Sequence, residues 1–191
     1  MPKKTTKPPD QVYELEIRLL DIEPPIWRRF AVPSDISLAA LHQVVQVVMG
    51  WWESHLHQFI INGDYYGEPD SDWGSDDEVV DEHRVKLRDV VERRGQKFIY
   101  EYDFGDGWEH ELKVVKIGPP EPGARYPLCL AGQRNCPPED CGGSWGYEHL
   151  LNVIADPNHE EHEDMMEWLG GGFDPERFDL AGVNERLEEL R

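Results

Sequence analysis

The stretch Phe98 to Ile117, FIYEYDFGDGWEHELKVVKI, constrains the fold more than any other in the chain. Phe98, Tyr100, Tyr102 and Phe104, then Trp108, Leu112 and Val114, alternate with polar neighbours, the period-2 pattern of two strands that each bury one face. Gly105-Asp106-Gly107 between them supplies the positive φ and local hydrogen bonding of a tight antiparallel turn. His110 shares the parity of Trp108 and Leu112 and is expected to point inward, beside a turn that carries Asp103 and Asp106. An inward histidine there is either a satisfied core group or part of a site.

The remaining chain supports a sheet with helices added to it. VYELEIRLL from Val12 alternates Tyr13, Leu15, Ile17 and Leu19 against Glu14, Glu16 and Arg18, a strand with one wet face. Glu23-Pro24-Pro25 turns the chain, and Ile26 to Val32 returns as a second strand closed by Pro33. Ser34, Asp35 and Ser37 offer N-caps to a helix with Leu38, Leu41, Val44 or Val45, and Val48 on one face, stopped by Gly50. His42 reads there as an ordinary surface or boundary histidine. His55 to Gly63 makes a third strand, apolar on both parities and expected to be covered on both faces, with His57 a candidate for burial. Val85 to Val91 reads as a short helix leading into the hairpin. GPPEPGARYP after Ile117 closes the β-rich half. A helix capped near Ser144 then carries Tyr147, Leu150, Leu151 and Ile154, and Asp156-Pro157 breaks it. HEEHEDMMEWLG forms another helix with Met165, Trp168 and Leu169 inward, and VNERLEEL a last amphipathic one. Strands followed by helices favour α+β: a single domain over 11–191, with a mixed or mostly antiparallel sheet, a helix between early strands and a helical C-terminal region.

Length and charge narrow the function. A chain of 191 residues with 39% hydrophobic content, seven Trp and seven Tyr can bury a good core. Against 39 acidic residues stand 19 basic ones, a formal net charge of −20, and no basic stripe of the kind that displaces counterions from nucleic acid. Direct nucleic-acid binding is therefore disfavoured. Lys3, Lys4 and Lys7, interleaved with proline, read as a disordered leader over 1–10. No apolar run approaches the ~20 residues of a membrane helix and no signal-like segment opens the chain, so the expected location is the cytoplasm, with no membrane partner.

Three chemistries remain open. Cys129, Cys136 and Cys141, too few and too odd in number for a disulfide framework, suggest a zinc site with His110, or less readily His57, as fourth ligand. Their spacing departs from the usual C-x2-C knuckle, and the competing reading, which the spacing favours, is three reduced thiols packed as small hydrophobes. His57, Asp103, Asp106, His110, Glu139 and Asp140 are the histidines and carboxylates available for acid-base or hydrolytic catalysis, with no nucleophile motif to fix them. For Asp106 and Asp140, turn and capping roles compete. His159-x2-His162 on a helix could hold metal, but its glutamate neighbours favour a solvated face. Asp70 to Asp81 faintly matches a calcium loop without the closing glutamate. The aromatic set Trp51, Trp52, Tyr65, Tyr66, Trp73, Trp108 and Trp145 exceeds core needs, and some of it is expected to line a groove for a protein partner or small ligand.

YEYDFGDGWEHEL and CPPEDCGGSWGYEHLL, with WRRFAVP, LHQVVQVVMGW, HLHQF and FDPERFDL in order, resemble the root-inducing-plasmid ORF-three-like family, whose members occur on plasmids, in chromosomes and near mobile elements. The resemblance runs from Val12 to Leu190 and implies one α+β domain without implying a reaction. The resulting expectation is an uncharacterised binding or accessory module, sooner than a catalyst, with any site placed where the hairpin turn meets the cysteine loop.

Overall fold

A computed structural model describes residues 10–69 and 79–191. The leader and most of the calcium-like loop, with Trp73, lie outside the described residues. The chain runs β1 (Val12–Leu19), β2 (Trp27–Pro33), α1 (Leu38–Met49), β3 (His57–Ile61), β4 (Asp64–Gly67) and β5 (Val79–Asp81). A 3-10 turn (Glu82–Arg84), α2 (Leu87–Val90), β6 (Lys97–Tyr102), β7 (Trp108–Gly118), β8 (Leu128–Gln133), α3 (Gly143–Ala155), α4 (His162–Trp168) and α5 (Leu180–Glu189) complete it. The strands form one sheet ordered β5-β4-β3-β6-β7-β1-β2-β8. Every pair is antiparallel except β4 with β5, so the sheet is mixed and the fold is α+β in a single domain.

The period-2 pattern decides which face is dry. Tyr13, Leu15, Ile17 and Leu19 of β1, Phe98, Tyr100 and Tyr102 of β6, and Trp108, Leu112 and Val114 of β7 all enter the core with Leu38, Leu41, Val45 and Val48 of α1. Their register puts like against like: Leu15 opposes Phe30 and Val114, and Tyr102 opposes Trp108. The opposite face carries ion pairs, Arg29 with Glu16 at 2.8 Å and Lys97 with Glu111 at 2.9 Å. Exposed pairs of this kind contribute little to stability, so the buried face holds the sheet together.

α1 begins where its sequence says. Ser37 is the N-cap, its hydroxyl accepting a hydrogen bond from Ala40 N at 3.1 Å, and Gly50 ends the helix with φ 108°. Ser37→Ala is expected to cost about 1 kcal/mol, read as a shift of the urea midpoint with unchanged slope.

Several expectations are corrected. His42 is buried, not at the surface: its ring stacks on His57 at 3.4 Å with the planes 4° apart, and its Nδ1 lies 2.8 Å from the Tyr100 hydroxyl. His57 in turn lies 3.0 Å by its Nε2 from the buried carboxyl of Glu82. β3 has one buried face, because Leu56 is exposed and Ile60 only half-buried while Phe59 and Ile61 are dry. Phe104 falls in the turn and faces solvent. α4 buries none of its residues, with Trp168 exposed, since it packs mainly along α3 at the edge of the fold. His159 precedes α4, so the His159/His162 pair does not share a helix face. Its neighbour His149 instead pairs with Glu161 at 2.9 Å.

Candidate metal centre

The turn between β6 and β7 is built on an aspartate. Asp103 takes the left-handed conformation at φ 55°, which Asp tolerates better than most residues, and its Oδ1 accepts hydrogen bonds from Gly105 N at 3.0 Å and Asp106 N at 3.2 Å. Oδ1 is thereby committed to the turn, while Oδ2 is turned to His55 at 3.5 Å. The side chain as a whole is 8% exposed.

The loop between β8 and α3 is drawn onto this turn. Asp106 Oδ2 accepts a hydrogen bond from Gly142 N at 3.1 Å, and the Trp51 indole N–H donates to Pro137 O at 3.1 Å. Gly143, at φ 68°, sits so near that a Cβ would meet the Asp106 carbonyl oxygen at 2.5 Å. Glycine is what lets the two segments close. The contact presents Glu139 and Asp140 to His55, which lies just ahead of β3.

At the junction, His55 Nε2 is 3.1 Å from Asp140 Oδ1, 3.5 Å from Asp103 Oδ2 and 3.8 Å from Glu139 Oε2. The nitrogen is shielded from water yet makes no hydrogen bond, so it is not directed at any one of these oxygens, close as they are. Among the described residues, His55, Asp103 and Asp140 are the one group of three or more potential ligands whose atoms lie within 4.8 Å of one another. Bonds of about 2.1 Å to an ion place tetrahedral ligand atoms about 3.4 Å apart, close to the 3.1 and 3.5 Å that separate His55 Nε2 from Asp140 and Asp103.

Glu139 is positioned from behind. Its Oε1 accepts from the Tyr102 hydroxyl at 3.0 Å and from Trp52 N at 2.9 Å, while Oε2 is buried without a partner. Burial pushes the Tyr102 pKa well up, so the phenol keeps its proton and donates it to Glu139. Ser54 N in turn donates to the Tyr102 oxygen at 3.0 Å.

The other candidates go elsewhere. Cys129, Cys136, Cys141 and His110 do not make a ligand group among the described residues. Cys129 lies on β8 with its sulfur near the carbonyl oxygens of Arg29 and Ala131, and burial raises its thiol to about 11. Cys136 is buried and its thiol pushed up by desolvation, and Cys141 is held up to about 12 by the same cause. His110 is a core residue of β7, with Nδ1 donating to Tyr100 O at 3.1 Å. His57 belongs to the pair with Glu82, and Asp106 serves the loop contact. Of the seven aromatics, Trp51, Tyr66 and Trp108 are buried, whereas Trp52, Tyr65 and Trp145 are exposed.

Sequence reasoning passed over His55, although it shares the parity of His57 in HLHQF; that alternation was the available signal. Glu82 and Tyr102 were missed as partners because nothing local marks them.

Residues 11–182 match the family described as Plasmid pRiA4b ORF-3-like protein. The chain belongs to that family. A relative of this ORF-3-like chain, the uncharacterized protein y4hQ of Sinorhizobium fredii (strain NBRC 101917 / NGR234), is 40% identical over 181 residues, 94% of this chain and 92% of its own. The crystal structure of a protein of unknown function, MM3350 from Methanosarcina mazei Go1, superposes with a TM-score of 0.81 at 41% identity. It covers 90% of this chain and 97% of its own. The fold is thus shared with MM3350, and neither name assigns an activity. No helix among the described residues is long and apolar enough to cross a membrane.

Proposed function

We propose that this ORF-3-like protein is a divalent-metal-binding module, with His55, Asp103 and Asp140 as ligands and Glu139 beside them. One observation carries the reading: a buried imidazole nitrogen without a hydrogen bond, faced by three carboxylate oxygens at 3.1 to 3.8 Å. Leaving a buried polar atom unpaired costs about 1–3 kcal/mol, and an ion at this point would remove that cost while neutralising converging negative charge. One imidazole with carboxylates suits Mn2+, Fe2+ or Zn2+ better than a soft thiolate-loving ion. Three protein ligands leave coordination positions open, the arrangement of a working site rather than a closed structural one. Asp140, exposed at 72%, marks the open side.

The test is calorimetric titration of chelator-stripped protein with Mn2+ and Zn2+, paired with thermal melts. The expected result is one ion per chain, with about 2.7 kcal/mol of added stability when free ion stands at 100 times Kd. His55→Ala is expected to weaken binding by at least about 100-fold, and Tyr102→Phe, which frees Glu139, by about 10-fold. Equal affinity in wild type and His55→Ala would refute the assignment.

A further inference from the structure

Resting on the metal reading, we propose that the loaded site hydrolyses an uncharged ester or amide with an apolar acyl group, and that Glu139 is its general base. The two oxygens of Glu139 are treated differently. Oε1 is fixed by Tyr102 and Trp52 N, whereas Oε2 is buried, unpartnered and, at 3.8 Å, the most distant of the three carboxylate oxygens from His55 Nε2. A carboxylate immobilised through one oxygen, with the other facing an ion from just outside its ligand set, is placed to take a proton from water bound to that ion. The step balances simply. Ion-bound water gives a proton to Glu139 Oε2, and the hydroxide oxygen adds to the carbonyl carbon. The C–O or C–N bond then breaks, and the leaving alkoxide or amine takes the proton back from Glu139. Water is the only co-reactant.

Charge selects the substrate. No lysine or arginine among the described residues forms an ion pair with Asp103, Glu139 or Asp140, whose charged neighbourhood is His55 alone. Asp106 adds a fourth carboxylate at the same junction. One divalent ion leaves the site negative, which repels phosphoesters and admits neutral carbonyl compounds. Apolar surface lies on the same segments. Trp52 donates its backbone N–H to Glu139 and is itself 76% exposed, Phe104 follows Asp103, and Trp145 opens α3 beside the Gly143–Asp106 contact at 83% exposure. Exposed aromatic rings this near a polar centre suit an apolar acyl chain.

The experiment uses the full chain loaded with Mn2+, with p-nitrophenyl butyrate and bis(p-nitrophenyl) phosphate as probes and metal-free protein as baseline. Metal-dependent cleavage of the ester, faster than of the phosphodiester, is expected. Glu139→Gln keeps an acceptor for Tyr102 and Trp52, so it is expected to hold Mn2+ with Kd changed by less than about 10-fold while losing about 100- to 10,000-fold in rate. An unchanged rate in Glu139→Gln overturns the base assignment. Loss of Mn2+ from that variant makes Glu139 a ligand and overturns it equally, and a preferred phosphodiester overturns the substrate class. Wild type that binds Mn2+ but cleaves neither probe sinks the hydrolytic proposal alone, whereas wild type that binds no metal sinks the metal centre beneath it.

Discussion

Lowering the pH from 7 to 5 is expected to remove about 4 kcal/mol of stability, because two histidines are folded in the neutral state. His42 and His110 are buried at 2% and 0% exposure, and burial pushes each pKa down to about 3. Below pH 6.5 the unfolded chain takes up a proton at each, and the folded chain refuses it until about pH 3. Their contribution is therefore complete above 6.5 and is lost as pH falls, at about 1.4 kcal/mol per unit for each histidine. His42 is met by His57 from β3, whose charge lowers its pKa further, and by the Tyr100 hydroxyl from β6. The nearest carboxylate to its Nε2 is Glu53 at 3.5 Å, itself largely exposed. His110 faces the edge of Trp51 and its own strand partner Tyr100, and beside burial only backbone groups of Tyr100 and Trp108 among the described residues act on its ring. The chain's net charge of −20 acts in the opposite sense, since acid relieves self-repulsion, so a fall in stability over this range is not an effect of net charge. Urea unfolding between pH 7 and 5 measures the slope. His110→Gln is expected to halve it whatever its effect on stability at pH 7, and a slope untouched by that change would refute the assignment.

Replacing Gly146 with alanine is expected to cost about 4 kcal/mol and to abolish the metal binding proposed above. Gly146 lies in the first turns of α3, with its N–H donating to Gly142 O at 3.1 Å. A Cβ built there falls 1.8 Å from the carbonyl oxygen of Cys141 and 2.8 Å from its carbon. That obstacle is backbone and cannot swing aside as a side chain would. Either the start of α3 unwinds or the loop carrying Glu139 and Asp140 lifts off the hairpin turn, and both outcomes scatter the proposed ligands. A melting curve for Gly146→Ala that coincides with wild type would show the approach to be softer than its distances imply. Affinity for Mn2+ reads the second half of the prediction separately, since lifting the loop alone would spare the sheet.

The long elements were written in the chain. β1, β2, β6, β7 and α1 each carry enough residues for period 2 or 3.6 to show, and Ser37 and Gly50 mark the ends of α1 because capping is local chemistry. β4, β5 and β8 escaped. β4 and β5 are short, β5 and β8 are the outer strands of the sheet, and CLAGQ in β8 has no alternation; what makes it a strand is its pairing with β2. The inward direction of His110 was legible for the same reason as the strands, since parity follows from the pleat. The burial of His42 was not, because it required β3 to bring His57 against α1 at 3.4 Å.

The site divides in the same way. Composition alone located the meeting place of a glycine- and aspartate-rich turn with a second glycine-rich loop, and it supplied Asp103, Glu139 and Asp140 as candidates. The proposed ligand set was a matter of distance. Cys129 went to a strand, His110 to the core and His57 to Glu82, while His55, one parity step from His57, came to face all three carboxylates. Periodicity is a property of neighbours along the chain, and so a sequence determines faces. Convergence within a few ångströms depends on register, turn geometry and the close approach of two glycine-bearing loops, and only the packed tertiary structure decides those.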